Sequence, residues 1–162
     1  LPRSLVDSFK DVADSEILTK RRELTLENYV PFHWFCKNPF DDAVQRAHRS
    51  TDFALITVKR ELARAANWLV VPRHPLGAGE IQLMNYDEGF ASMRWDVMDL
   101  RDYSDPLCKS ICMAECLSPT PVPPDKFFKI YVANAAMLDH VGRMVGSECV
   151  ACNQNMFLSQ TA

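Results

Sequence analysis

Apolar positions along the chain fall into short runs broken by charges, prolines and glycines. Val6, Phe9, Val12, Ile17, Leu18 and Leu24 stand among many charged residues, and Ser15-Glu16-Ile17 opens a predicted helix that runs into Lys20-Arg21-Arg22. Basic residues suit a helix C-terminus, where the backbone dipoles leave negative charge. Tyr29 to Cys36 is short and aromatic and reads as a strand. Pro31 has no N–H for a ladder bond, so that strand starts at an edge or an irregular point. Lys37-Asn38-Pro39 is a turn, and Asp41 and Asp42 open a helix that reaches about Arg49. Asp52 to Val58 reads as a buried strand, Lys59 to Ala66 as a short helix, and Trp68 to Val71 as a strand stopped by Pro72.

From Arg73 to Glu80 histidine, proline and glycine predict a loop. Residues 81–104 are helical in parts, with Trp95 as an anchor, and Asp105-Pro106 starts a short helix because proline suits the first turn. Met113 to Ser118 and Phe127 to Val132 read as strands joined by a proline-rich turn, a tight return from one to the other. Residues 134–145 form a helix with Ala136, Leu138, Val141 and Val145 on or near one face. Closing strands are expected at 149–152 and 155–158. Strands and helices mix without a regular β-α-β rhythm, so the class is α+β, a mixed central β-sheet core with flanking helices. At 162 residues the chain is expected to form a single domain, 1–162, around one core.

Composition narrows the function. The formal net charge is −3, so the chain has no overall basic signature, and a nucleic-acid contact would need a local basic groove. No apolar run approaches the roughly 18 residues of a membrane span. The start, Leu1-Pro2-Arg3-Ser4, is neither a signal peptide nor a lipidation motif. The six cysteines are therefore read as reduced thiols, and the expected location is cytoplasmic.

Glu115 is the residue that stands out chemically. It lies between Ala114 and Cys116 in a run expected to be buried, and a buried carboxylate needs donors or a task. One reading is a structural salt bridge to Arg21 or Arg22; the other is catalysis. Lys20-Arg21-Arg22 is either a solvated helix end or a phosphate clamp, since guanidinium forks match phosphate oxygens. His33 shares a strand face with Phe35, and Phe32 shares the opposite face with Trp34. His33 is either a core histidine or a ligand-facing one. Arg73 and His74, with Gly77 and Gly79, belong to a surface loop or to a substrate contact. Cys108, Cys112 and Cys116 are spaced by four, and Cys149 and Cys152 form a pair, but helical spacing that runs into a strand argues against a zinc site.

The order of these pieces resembles the DarT family of DNA ADP-ribosyltransferases. Asp14-Ser15-Glu16-Ile17 to Arg21-Arg22 is similar to the family's Ile-x-x-x-Arg segment. Tyr29-Val30-Pro31-Phe32 with Asn38-Pro39-Phe40 is similar to its Tyr-Val-Pro-Phe strand and the turn after it. The similarity continues through the strand at 53–58, the loop near Arg73-His74, and Trp95 to Pro106. Ala114-Glu115-Cys116-Leu117 with Val122-Pro123 looks like the family's Ala-Glu-Phe-Leu-Val…Val-Pro block, with Met113 where the family often has Gln. Asn155-Met156-Phe157 fits its closing aromatic strand.

The resemblance implies a toxin of a toxin–antitoxin pair that moves ADP-ribose from NAD to a base in single-stranded DNA, with a macrodomain-type antitoxin as a partner. It places the catalytic carboxylate on Glu115 and the functional arginine on Arg21, with Arg22 as the alternative register. Arg22, His33 and Phe32 become candidate NAD contacts, and Arg73, His74 and Lys37 candidate DNA contacts, with no metal. The family's N-terminal His-containing segment, which helps to hold NAD, would precede Leu1, so the chain is expected to lack it. The chemistry is coherent: cleaving nicotinamide from ribose builds an oxocarbenium-like centre that a carboxylate stabilises. An enzyme acting on a base edge favours unpaired strands. The alternatives are a catalytically weakened nucleotide- or DNA-binding module and a zinc-binding interaction domain.

Overall fold

A computed structural model describes Thr19, residues 21–74 and residues 82–159. The described residues divide into two compact units, one holding those up to Trp34 together with Ala63–Val122, the other Phe35–Leu62 with the residues from Pro123 onward. The α+β class holds, but the strands form two three-stranded sheets instead of one central sheet. Hydrophobic pattern places strands without saying which partners they choose, and here each unit closes its own core.

In the first unit, strand β1 (Val30–His33) and strand β3 (Leu69–Val71) both pair antiparallel with β4 (Glu115–Ser118), which lies between them. Pro31 therefore falls on an edge strand, as its missing N–H requires. β4 is buried along its whole length. Leu117 packs with Leu26 and Val71 on one face. On the other face Gly89 of α3 (Tyr86–Ser92) approaches Val70 so closely that a Cβ there would collide with the valine side chain. Asn85 caps α3 by accepting from the Glu88 N–H at 3.0 Å. Asp105 caps α5 (Pro106–Ile111) by accepting from the Leu107 and Cys108 N–H groups. The short helix α4 (Trp95–Met98) lies between them in sequence, and Trp95 packs edge-on against Trp34 at 5.3 Å, the anchoring role expected of it.

In the second unit, helix α1 (Pro39–Ala47) is capped by Asn38, which is fully buried. Its Oδ1 accepts from the Phe40 and Asp41 N–H groups, and its Nδ2 donates to the Phe35 carbonyl. Strand β2 (Ala54–Thr57) pairs antiparallel with β5 (Lys129–Val132), which pairs parallel with β6 (Val150–Cys152). Helix α6 (Ala135–Val145) makes the crossover between β5 and β6, so one β-α-β unit does exist. Leu138 and Val141 pack on Ile130, Val132 and Val150, whereas Ala136 and Val145 are exposed. Helix α2 (Arg60–Ala65) follows β2.

Three sequence expectations change. β2 is half-exposed: Ala54 and Ile56 share a face with Val132 and Ile130, but α6 packs on β5 and β6. The strands before and after the proline-rich turn do not pair; β4 and β5 belong to different sheets. Residues 154–156 form a 3-10 turn instead of a closing strand, with Asn153 capping it through the Asn155 N–H. The predicted start of the first helix at Ser15, Lys20, and the Gly77–Gly79 part of the loop lie outside the described residues.

Candidate active site

Glu115 opens the middle strand of the first sheet, with His33 opposite it on β1 and Val71 opposite it on β3. Cross-strand partners point to the same side, so His33, Glu115 and Val71 share one face. Glu115 is 7% exposed. One guanidinium nitrogen of Arg21, Nη1, donates to both of its carboxylate oxygens, each at 2.7 Å. Two short charge-assisted contacts of this kind supply the counter-charge that a carboxylate removed from water requires.

Local structure explains why Arg21 and not Arg22 reaches the acid. Residues 21–23 are helical, and the Thr25 N–H closes the turn on the Arg22 carbonyl at 2.9 Å. Thr25 then takes a left-handed φ of 56°, which swings the chain so that Leu26 is buried against Val71 and Leu117. Leu117 is two residues from Glu115 and faces the same way. The anchor that fixes the segment thus sits on the face that carries the acid. Neighbouring helical residues diverge by about 100°, so Arg22 turns outward. It is largely exposed and meets Glu27 at 3.5 Å.

His74 belongs to the same neighbourhood. Its N–H donates to the Ser110 carbonyl at 2.8 Å, which ties the start of the loop to α5. Burial pushes its imidazole below the ordinary 6.5, while the charge of Glu115 pulls it back up and Arg21, His33 and Lys109 oppose protonation. Arg73 is half-buried one residue earlier. Lys109 went unremarked in the sequence, because an exposed lysine on a short helix carries no pattern signal.

One expected contact, Phe32, faces away from Glu115. Phe32 stacks on Trp68 at 5.1 Å, on the face opposite Glu115, because strand side chains alternate. Trp34 packs with Tyr86 and Phe90 in an aromatic cluster. Lys37, with a left-handed φ of 57°, belongs to the second unit and lines a groove there. The cysteines follow their own packing. Cys108 and Cys112 donate to the carbonyls of Val97 and Met98, and burial pushes the Cys116 thiol up to about 12. Among the described residues no group of three or more His, Cys, Asp or Glu side chains is arranged to hold a metal ion.

The arrangement is thus a shielded carboxylate on a rigid strand, held by a guanidinium, with two imidazoles beside it. It can accept hydrogen bonds from sugar hydroxyls and face a developing positive charge. The fold is that of DarT-type ADP-ribosyltransferases. A Thermus sp. 2.9 DarT structure in complex with ADP-ribosylated ssDNA matches with a TM-score of 0.78 and 15% identity, over 97% of this chain and 85% of that one. Another, in complex with NAD+, matches with a TM-score of 0.68 and 16% identity, over 82% of this chain and 74% of that one. Thermosipho africanus DarTG in complex with ADP-ribose matches with a TM-score of 0.70 and 20% identity, over 91% of this chain and 42% of that longer one. No curated protein sequence matches the chain. The sequence profile of DarT, the ssDNA thymidine ADP-ribosyltransferase, matches residues 2–158, and the chain belongs to this family. Among the described residues no helix is long and apolar enough to cross a membrane.

Proposed function

We propose that this chain transfers ADP-ribose from NAD to thymidine in single-stranded DNA, with Glu115 as the catalytic carboxylate and Arg21 as its partner. The observation that carries the assignment is the pair of 2.7 Å contacts from Arg21 to Glu115 on the buried central strand, in a chain whose residues 2–158 match the family. The Thermus DarT complexes with NAD+ and with ADP-ribosylated ssDNA support the two substrates. The residues fit NAD: one carboxylate for ribose hydroxyls, and a guanidinium for phosphate oxygens.

NAD supplies a ribose carbon bonded to nicotinamide as leaving group. Glu115 faces that carbon and steadies the positive charge that grows as the bond to nicotinamide breaks. The strand holds the carboxylate in place, so little reorganisation accompanies the step. Arg21 orients Glu115 and, on releasing it to the sugar, offers its fork to phosphate oxygens. The thymine base forms the new bond to the ribose carbon and loses a proton. His74, whose imidazole burial holds below its ordinary range and which feels the charge of Glu115, is the proposed acceptor. His33 borders the acid on the same face.

The toxin role, with a macrodomain-type antitoxin as partner, follows from family membership and from the likeness to a DarTG chain. Six free cysteines and an NAD-consuming reaction suit the cytoplasm. The test is mass spectrometry of thymidine-containing oligonucleotides incubated with NAD. A mass gain of one ADP-ribose is expected with the wild type, and Glu115→Gln should lower the rate by at least about 10²-fold. Transfer by Glu115→Gln at the wild-type rate would remove Glu115 from the chemistry.

A further inference from the structure

A groove of about 630 Å³ lies wholly within the second unit, in the size range of ligand sites. Lys37, Arg46 and Arg49 line it against one carboxylate, Asp52, which gives a local balance of three positive charges and one negative in a chain whose net charge is −3. Arg46 is already bonded to Asp42 at 2.7 and 3.0 Å, so its charge is partly spent. Arg49 is exposed and has no ion-pair partner among the described residues. The exposed amides of Asn134 and Gln154 add polar groups to the wall. The wall is built rather than loose. The Leu158 N–H donates to Gln45 Oε1 of α1, the Asn153 N–H donates to the Val132 carbonyl, both at 2.9 Å, and Phe157 is buried beneath.

We infer that this groove binds the phosphate backbone of single-stranded DNA, a reading that rests on DNA being the substrate. Guanidinium and ammonium groups lining an open polar channel match phosphodiester oxygens. Phe157 is buried, and the charged groups of the groove meet phosphates, which carry no sequence information. Phosphate oxygens also occur in the diphosphate of NAD, and the two sources are separated by measurement.

The experiment is fluorescence anisotropy of a labelled single-stranded oligonucleotide with the whole chain over a range of salt, beside calorimetric titration with NAD. For single strands each phosphate contact adds about 0.7 to the slope of log affinity against log salt, which is about fivefold in affinity at about 0.1 M salt. Lys37→Gln/Arg49→Gln should therefore bind DNA about 25-fold more weakly, with a slope shallower by about 1.4. Arg49→Lys should keep the slope, which separates lost charge from lost fold. Unchanged DNA affinity and slope in the double variant would overturn the groove assignment while leaving the transferase reading intact, and so would a loss confined to NAD. A wild type that binds no single-stranded DNA would overturn both.

Discussion

Removing the Arg21 side chain is the sharpest single perturbation of this molecule. Arg21→Ala leaves the Glu115 carboxylate on a strand where the side chain is 9% exposed, with its 2.7 Å partner gone. A carboxylate and a guanidinium in such contact have charge centres about 4 Å apart, and at an effective dielectric of about 20 their attraction is about 4 kcal/mol. Deleting one member of a buried pair costs about 3–5 kcal/mol for the same reason, because the other charge stays behind without compensation. In a chain of this length that is a fall in Tm of roughly 6–20 °C. Arg21→Ala/Glu115→Gln should recover part of the loss, since no unpaired carboxylate remains, and a double-mutant cycle should give a coupling of about 1–3 kcal/mol. Urea unfolding followed by tryptophan fluorescence measures the stability, and transfer to oligonucleotides measures activity on the same samples. An Arg21→Ala midpoint equal to wild type, or strictly additive single variants, would refute the claim that the pair supports the fold. Both readings of Glu115, structural ion pair and catalytic acid, meet in this one contact. They separate in Glu115→Gln, where activity should fall far more than stability does.

His74 makes acid pH matter. Its folded-state imidazole titrates below the ordinary 6.5, so its contribution to stability is present above 6.5 and is lost as pH falls toward the lower folded value, where the unfolded chain already binds the proton. The acid limb of kcat/KM should likewise flatten in His74→Gln, and a His74 NMR titration midpoint at or above 6.5 would contradict the burial argument. Gly89→Ala forces a methyl group into the Val70 side chain across the α3–β3 contact and should cost about 1–3 kcal/mol in urea unfolding. An unchanged midpoint would mean that α3 can lift off its strand freely.

Much of the local structure was legible in the sequence. Asp105 before Pro106 is a capping signal that heads the helix it announces, whereas the helix expected to open at Asp41 and Asp42 starts at Pro39, with Asn38 of the expected turn as its cap. Trp95 was readable as an anchor and Pro31 as a mark of an edge. Family order around Tyr29–Phe32 and Ala114–Leu117 pointed to Glu115 and to an arginine at 21 or 22. Pairing was not legible. Nothing in a run of apolar residues says that β4 joins β1 and β3 while β5 joins β2 and β6, because strand partners are chosen by packing across long loops. The same holds for faces. Alternation put Phe32 opposite His33, but only the register of His33 on Glu115 decided that Phe32 leaves the site and stacks on Trp68. Sequence therefore determined which residues were available: an acid on a buried strand, two neighbouring arginines, and histidines at 33 and 74. Tertiary structure decided that Leu26, buried against Leu117, turns Arg21 and not Arg22 onto that acid, because a contact over 94 positions of chain is set by the core that closes it.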